Sequence, residues 1–430
     1  MTHALVSTGL DHLPFPTVVI IGGGFAGITL VQKLVHKPLK VILIDRNNFH
    51  TFQPLLYQVA TGSLAPDNIG FPFRRKISTM PNVAFRKAEV ESINPQEKTV
   101  ITSQGVFSYD YLVLATGSKT NFYGNSQLEK NAMQLKSISQ ALDIRSAFLQ
   151  EFENAMYLQD NERMAALNFV VVGGGPTGVE VSGALAEIRK NILTQEYKEV
   201  GVQQMHITLI EAGPRVLSGF SEKSSEVATE YLEEMGVRVM VNHRVKKYNG
   251  EKLVLEDGSE LLTKTVIWSA GVMGGAVEGF PKETYTKNNR LSTDAYLRVK
   301  GVQDIFAMGD VASVDTEPTG HPMIAPVAIQ QAHWLSLYFQ SLVQSQSIAP
   351  FVFHDKGSMA TIGRNKAVVE FGTIRFQGLV AWYIWMFVHL VSLIGFKNRL
   401  VVLFHWAMKY FSYKNVIHLI VRPYDQKKSL

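Results

Sequence analysis

The chain of 430 residues contains no cysteine. That absence removes disulfide frameworks, thiolate-held zinc, iron–sulfur clusters and any redox-active CxxC pair, so electron chemistry here needs an organic cofactor. No metal site is expected. Low-complexity runs are also missing, and 46% hydrophobic with 18% charged residues reads as ordered and globular, with length enough for two or three domains. The opening "MTHALVSTGLDHLPFP" has neither a basic residue nor an apolar run, so no secretory signal or transit peptide is expected. Acid is scarce in one place. Residues 371–430 hold eight Lys/Arg and a single acid, Asp425, so the net charge of +5 belongs to the tail.

Against those absences stands a repetition. The stretch "VVIIGGGFAGI" at residues 18–28 is answered by "VVVGGGPTGVE" at residues 170–180. Each is a buried apolar run, a glycine turn and the start of a helical pattern, the context that lifts a GxGxxG match above chance. Gly22 is expected to make the tight turn, Gly24 to admit a pyrophosphate, and Gly27 to allow close helix–strand packing; Gly173, Gly175 and Gly178 repeat the pattern. The strand "KVILIDR" ends in Asp45, 18 residues after Gly27, and "HITLIEAG" carries Glu211; either carboxylate can receive a ribose hydroxyl. Glu211 favours NADH over NADPH, although Arg215 lies close by in sequence.

Each copy also closes alike. "YLVLATGS" places Gly117 95 residues after Gly22, and "TVIWSAGV" places Gly271 98 residues after Gly173. Two dinucleotide units imply two dinucleotides, with electrons passing between them. The order of GxGxxG, "LATGS", a second GxGxxG and "DIFAMGD" resembles the two-dinucleotide flavoprotein reductases. The resemblance implies an α/β fold with two Rossmann-like domains, the second nested in the first, followed by a helical membrane-associating segment. It implies an FAD domain over residues 1–125 and 285–365, an NADH domain over 126–284, and an anchoring region over 366–430. Expected FAD contacts are Gly22, Gly24, Phe25, Ala26, Gly27, Asp45, Arg46, Gln53, Ala115, Thr116, Gly117, Gly309 and Asp310. Expected NADH contacts are Gly173, Gly175, Pro176, Thr177, Gly178, Glu211 and Gly271. Asp310 has an alternative reading as a helix N-cap.

Within that family, cysteine-dependent disulfide reductases, sulfide:quinone reductases and peroxidases are excluded by composition. "NNFHTFQPLLYQVATG" (47–62), "APVAIQQAHWL" (325–335) and "HDKGSMATIGR" (354–364) are similar to type II NADH:quinone oxidoreductases. Many members have Ala-Gln where this chain has Ala325-Pro326, while Gln330 and Gln331 keep the later positions. The resemblance implies quinone contact at Gln330 and Gln331, a site separate from nicotinamide, and a role for Glu180 near the nicotinamide–flavin contact. Glu180, Lys356 and His354 are candidates for supplying protons. The plain alternatives are a Glu180 favoured by its helix dipole, in the first turn, and glutamines that cap a backbone group or meet solvent.

The tail holds "GLVAWYIWMFVHLVSLIGF" (378–396), 19 residues without a formal charge. As one helix it would run about 28 Å, near a bilayer's hydrocarbon thickness. Basic residues flank both sides, and Trp382, Trp385 and Trp406 suit an aromatic belt, so helices lying in one membrane face are expected, with a spanning helix or a dimer-forming core segment as the alternatives. "NVIHLIVRP" (415–423) adds a further apolar piece, and the charge pattern does not suit nucleic acid. The resulting expectation is a monotopic homodimer on the cytoplasmic face of a cell's inner membrane, oxidising NADH and reducing quinone without pumping protons. A soluble NADH-dependent reductase of a small redox protein, and a non-enzymatic NADH-responsive flavoprotein, remain as alternatives.

Overall fold

The computed structural model describes residues 4–190, 197, 204–412, 419–420 and 423–425. Most of the 415–423 apolar piece lies outside the described residues. The chain folds as two compact units, one comprising Met1–His50, Phe71–Lys119 and Val272–Asp355, the other Thr51–Gly70, Thr120–Gly271 and Lys356–Leu430.

In the first unit, five parallel strands run in the order Ile305–Ala307, Tyr111–Leu114, Thr17–Ile21, Lys40–Asp45, Val83–Lys87. Their near-continuous Val/Ile/Leu content suits strands covered on both faces. Val19, Ile21, Ile42 and Leu112 are fully or almost fully buried in one core cluster. The second unit repeats the order with Met133–Gln134, Thr265–Trp268, Asn168–Val172, His206–Ile210 and Val237–Met240. Each unit also connects its outer strand back to the centre through a three-stranded antiparallel sheet: Val90–Asn94, Thr99–Thr102, Gly105–Ser108 in one, Val245–Tyr248, Lys252–Leu255, Glu260–Leu262 in the other. Both of these sheets shift register at their first pairing, between Val90 and Ser92 and between Val245 and Lys247.

The tail differs from its sequence-based description. The uncharged run is broken into helices Gly378–Ser392 and Phe396–Ser412, because Leu393 is extended (φ −63°, ψ 137°) and Gly395 takes φ +91°. The first has 15 residues, about 22 Å, and among the described residues no helix is long and apolar enough to cross a membrane. The tail groups with the second unit from Lys356 onward, because Ala381, Trp385, Val402 and Trp406 are buried there.

Candidate functional site

The two glycine loops have one construction. Gly22 N–H donates to Ile44 O and Gly173 N–H to Ile210 O, each at 2.8 Å. Both glycines have positive φ, +99° and +108°, and a Cβ would lie 2.4 Å from Ala115 O or 2.6 Å from Ala270 N. Neither position admits a side chain. A Cβ on Gly27 or Gly178 would lie 1.8 Å from the carbonyl oxygen of the first glycine of its loop, so the third glycine serves packing as expected. Gly24 and Gly175 behave otherwise: a Cβ there meets nothing within 4 Å. The middle glycine leaves space in front of the helix N-terminus, where unpaired N–H groups favour a phosphate.

The acids brace these loops. Asp45 accepts from Gly23 N (2.7 Å) and Asn47 N (2.7 Å), and Glu211 accepts from Gly174 N (2.6 Å) and Gly213 N (2.6 Å). Burial pushes the Asp45 carboxyl up, against the two backbone donors and exposed Arg46. Each oxygen keeps a lone pair for a ribose hydroxyl. Arg215, in contrast, is committed: its guanidinium donates to Phe220 O (2.7 Å), Ser225 Oγ (2.5 Å) and Ser218 O (2.9 Å). It is held away from the role of phosphate receptor.

The first unit carries further fittings. Ser118 Oγ donates to Asp310 Oδ2 at 2.6 Å, and Gln331 Oε1 accepts from Gly309 N at 2.6 Å. Asp310 is therefore not a helix N-cap; it sits within the 3-10 turn Gly309–Val311, whose cap residue is Met308. Thr116 Oγ1 and Gln331 Nε2 are buried polar atoms with no hydrogen-bond partner among the described residues. With the open space at Gly24 and Gly117, these atoms fit a polar, phosphate-bearing cofactor. Phe25 and Ala26 begin the loop helix, Phe25 edge-on to His50 at 5.2 Å.

Pro326 lies in the first turn of helix Ala325–Gln344, and Gln331 is fully buried in it. Gln330 is half-buried, and its amide exchanges bonds with the backbone of His354, at 2.9 and 3.1 Å. Both glutamine side chains thus have structural duties that sequence spacing does not reveal. Lys356 and Gln53 are exposed in the second unit. Pro176 and Thr177 are exposed at the start of their helix, and a Cβ at Gly271 would strike Tyr123 OH at 2.2 Å.

Glu180 departs furthest from its plain reading. It lies in the second turn of helix Pro176–Ile188, whose first turn holds no acid, so the helix dipole does not explain it. Its side chain is buried, and desolvation pushes the carboxyl up to about 8, against the Thr361 backbone amide and the Trp385 indole. The indole N–H faces the carboxyl but falls short of hydrogen-bond geometry. Glu180 is therefore largely protonated at neutral pH.

Glu180 opens on a cavity within the second unit. Its walls come from helix Leu56–Ala60 (Tyr57, Gln58), from the Glu180 helix (Ala184, Glu187), and from both tail helices (Trp382, Trp385, Trp406, Lys409). Trp385 and Trp406 are thus wall residues, not an aromatic belt. Lys409 also turns inward, donating to Ser63 Oγ (2.9 Å) and Glu187 Oε2 (3.1 Å). Sequence reasoning missed Tyr57, Gln58, Trp385 and Trp406 as site residues. The only signal was the family-like segment 47–62, which does not say which of its side chains face a cavity.

Outward, the tail helices carry apolar stripes at i, i+4 spacing. Leu379, Tyr383, Phe387 and Val391 are exposed on the first, and Phe396, Leu400, Phe404 and Met408 on the second. Lys397 and Arg399 are exposed beside the second stripe.

Known proteins share this architecture. The family model for pyridine nucleotide-disulphide oxidoreductases matches residues 16–332, and that for the NDH2 C-terminal domain matches residues 355–414. The chain is 34% identical to the type II NADH:quinone oxidoreductase NdhA of Mycobacterium tuberculosis, over 91% of this chain and 87% of that protein. It is 30% identical to an internal alternative NAD(P)H-ubiquinone oxidoreductase of Arabidopsis thaliana, over 91% and 83% of the two chains. Among solved structures, NDH2 of Plasmodium falciparum in complex with NADH superposes with a TM-score of 0.86 at 22% identity, over 95% of this chain and all of that one. A sulfide:quinone oxidoreductase of Aquifex aeolicus gives a TM-score of 0.70 at 22% identity, over 93% and 96%.

Proposed function

Since the chain belongs to the pyridine nucleotide-disulphide oxidoreductase family and carries an NDH2 C-terminal domain, we propose that it is a non-electrogenic NADH:quinone oxidoreductase. FAD and NADH are its cofactors. Bound FAD would supply the two-electron chemistry that links NADH to quinone. The first unit holds FAD: the Gly22–Gly27 loop receives its pyrophosphate, Asp45 a ribose, and Asp310, steadied by Ser118, its ribityl and phosphate region. The second unit holds NADH on the Gly173–Gly178 loop, with Glu211 on the ribose diol.

One observation carries the acceptor assignment: a cavity whose walls are tail helices and a protonated acid. A quinone needs an apolar approach and polar groups at its end. Aromatic Trp382 and Trp385 supply the former, and Glu180 with Tyr57 the latter. Reduction consumes NADH, quinone and one proton from the medium and yields NAD+ and quinol. Glu180, neutral before turnover, delivers that proton to a quinone oxygen and is reprotonated from solvent. In this reading the exposed stripes of the tail lie on a lipid face, with Lys397 and Arg399 at anionic headgroups. A homodimer and the cytoplasmic face of an inner membrane belong to the same reading, to be checked by light scattering and by protease accessibility in oriented vesicles.

The test is NADH oxidation by purified protein with quinone, ferricyanide and oxygen as acceptors, comparing wild type with Ala184→Trp. The variant should lose quinone turnover at least tenfold while ferricyanide turnover stays within twofold. Unchanged quinone turnover would place the quinone elsewhere.

A further inference from the structure

Within the cavity, donors and acceptors can be counted one by one. The Trp406 indole Nε1–H lies 2.9 Å from Gln58 Oε1. An indole nitrogen donates and never accepts, so it fixes which end of the Gln58 amide faces it. The other end, Nε2, is thereby turned to Tyr57 and donates to the phenol oxygen at 2.8 Å. An amide nitrogen cannot accept either. The phenol is thus the acceptor in this contact, and its own hydrogen is left to point elsewhere. Tyr57, Gln58 and Trp406 are 7%, 8% and 9% exposed, so the phenol hydrogen is left for a group inside the cavity. All three line the cavity that holds Glu180.

We infer that Tyr57 is the hydrogen-bond donor to a quinone carbonyl in this cavity, and that Trp406 is a positioning residue that aims it, acting through Gln58. The inference rests on the assignment of the cavity to quinone. The phenol polarises the carbonyl and keeps its proton, since burial and nearby Glu180 hold it far above the ordinary phenol range. The proton transferred to quinol comes from Glu180. Trp406 belongs to the second tail helix, so the donor is aimed only when that helix is docked. Without the indole N–H, the amide is released to rotate, and its oxygen then takes the phenol hydrogen and withdraws the donor from the cavity.

The experiment uses full-length flavin-loaded protein and a short-chain ubiquinone, with each variant's ferricyanide rate as reference and FAD content and Tm as folding controls. Tyr57→Phe should raise the quinone KM about tenfold. Trp406→Phe should raise it in the same sense by about three- to tenfold. Replacing Trp406 with 3-benzothienylalanine, which keeps the bicyclic shape and lacks the N–H, should do the same and decides the matter if the Phe variant is unstable. Adding either change to Tyr57→Phe should produce no further rise, because both act through one hydrogen atom. Effects that multiply, or a benzothienyl variant with the wild-type KM, would overturn the positioning role. A Tyr57→Phe enzyme with unchanged quinone KM would overturn the donor role. If Ala184→Trp still blocks quinone in that case, the cavity assignment survives; if it does not, that assignment fails first.

Discussion

The two halves of this molecule hold the same backbone construction to within about 0.1 Å in its loop hydrogen bonds, yet differ at single side chains. Counting from the first glycine, the eighth residue of the motif is Thr29 in one copy and Glu180 in the other. Thr29 is half-buried on an ordinary helix, whereas Glu180 is a buried acid at a cavity. What the copies share is what a pyrophosphate requires. What they do not share is what separates a cofactor kept in place from substrates that come and go.

Identical changes in the two loops should break the symmetry most sharply. Gly24→Val and Gly175→Val add a side chain where no protein atom lies within 4 Å of a Cβ, so both variants should fold. The first should come off the column without flavin and without any NADH oxidation. The second should retain flavin and raise the KM for NADH by about two orders of magnitude. Flavin release on denaturation and NADH titration tell them apart, and a reversed pattern would exchange the two cofactor assignments.

Glu180→Gln tests the site where the copies diverge. Quinone turnover should fall about 10- to 100-fold. Stability moves the other way. The ordinary carboxyl value is 4.5 and the folded value about 8, so between them the unfolded chain ionises while the folded one does not. Wild-type stability therefore falls as pH rises from 4.5 to about 8 and then levels. The variant escapes that loss; denaturant curves should coincide below pH 4.5 and separate by on the order of 4 kcal/mol above pH 8. Parallel curves would mean that Glu180 is ionised in the fold.

Gln331→Leu removes the brace on Gly309 in the first unit. Quinone and ferricyanide turnover should fall together, by about three- to tenfold, with weaker flavin retention; a selective loss with quinone would return this residue to the acceptor site. In the second unit, carboxylate Glu211 and committed Arg215 should make kcat/KM for NADH about tenfold or more above that for NADPH. The smallest effect is expected at the tail surface. Phe387→Glu with Phe404→Glu should shift protein from vesicles of anionic lipid to the supernatant, leaving ferricyanide turnover unchanged. High salt alone should release little, because it screens only the charges.

Much of this was legible in the sequence where one residue type answers one backbone need. Glycines at forced φ, acids that cap successive N–H groups and apolar strands announce themselves by spacing. The glutamine pair did not, because an amide serves equally as a backbone brace or a ligand contact, and only the Gly309 and His354 partners decide. The tail tryptophans misled for a related reason. Apolar residues on both faces of a short helix satisfy a membrane and a cavity wall alike, and Trp385 and Trp406 took the wall. Tyr57 became informative only through Trp406, 349 residues further along the chain.

The paired register shifts in the antiparallel crossovers bear on ancestry. The register shift at the head of each three-stranded sheet, between Val90 and Ser92 and between Val245 and Lys247, lies outside both glycine loops. Two sequences converging on a shared chemistry would have no reason to agree on an irregularity so far from it. Common descent would produce that agreement, since a bulge tends to persist within a lineage. Differences at positions such as 29 and 180 then divide the labour between two units that share even this irregularity.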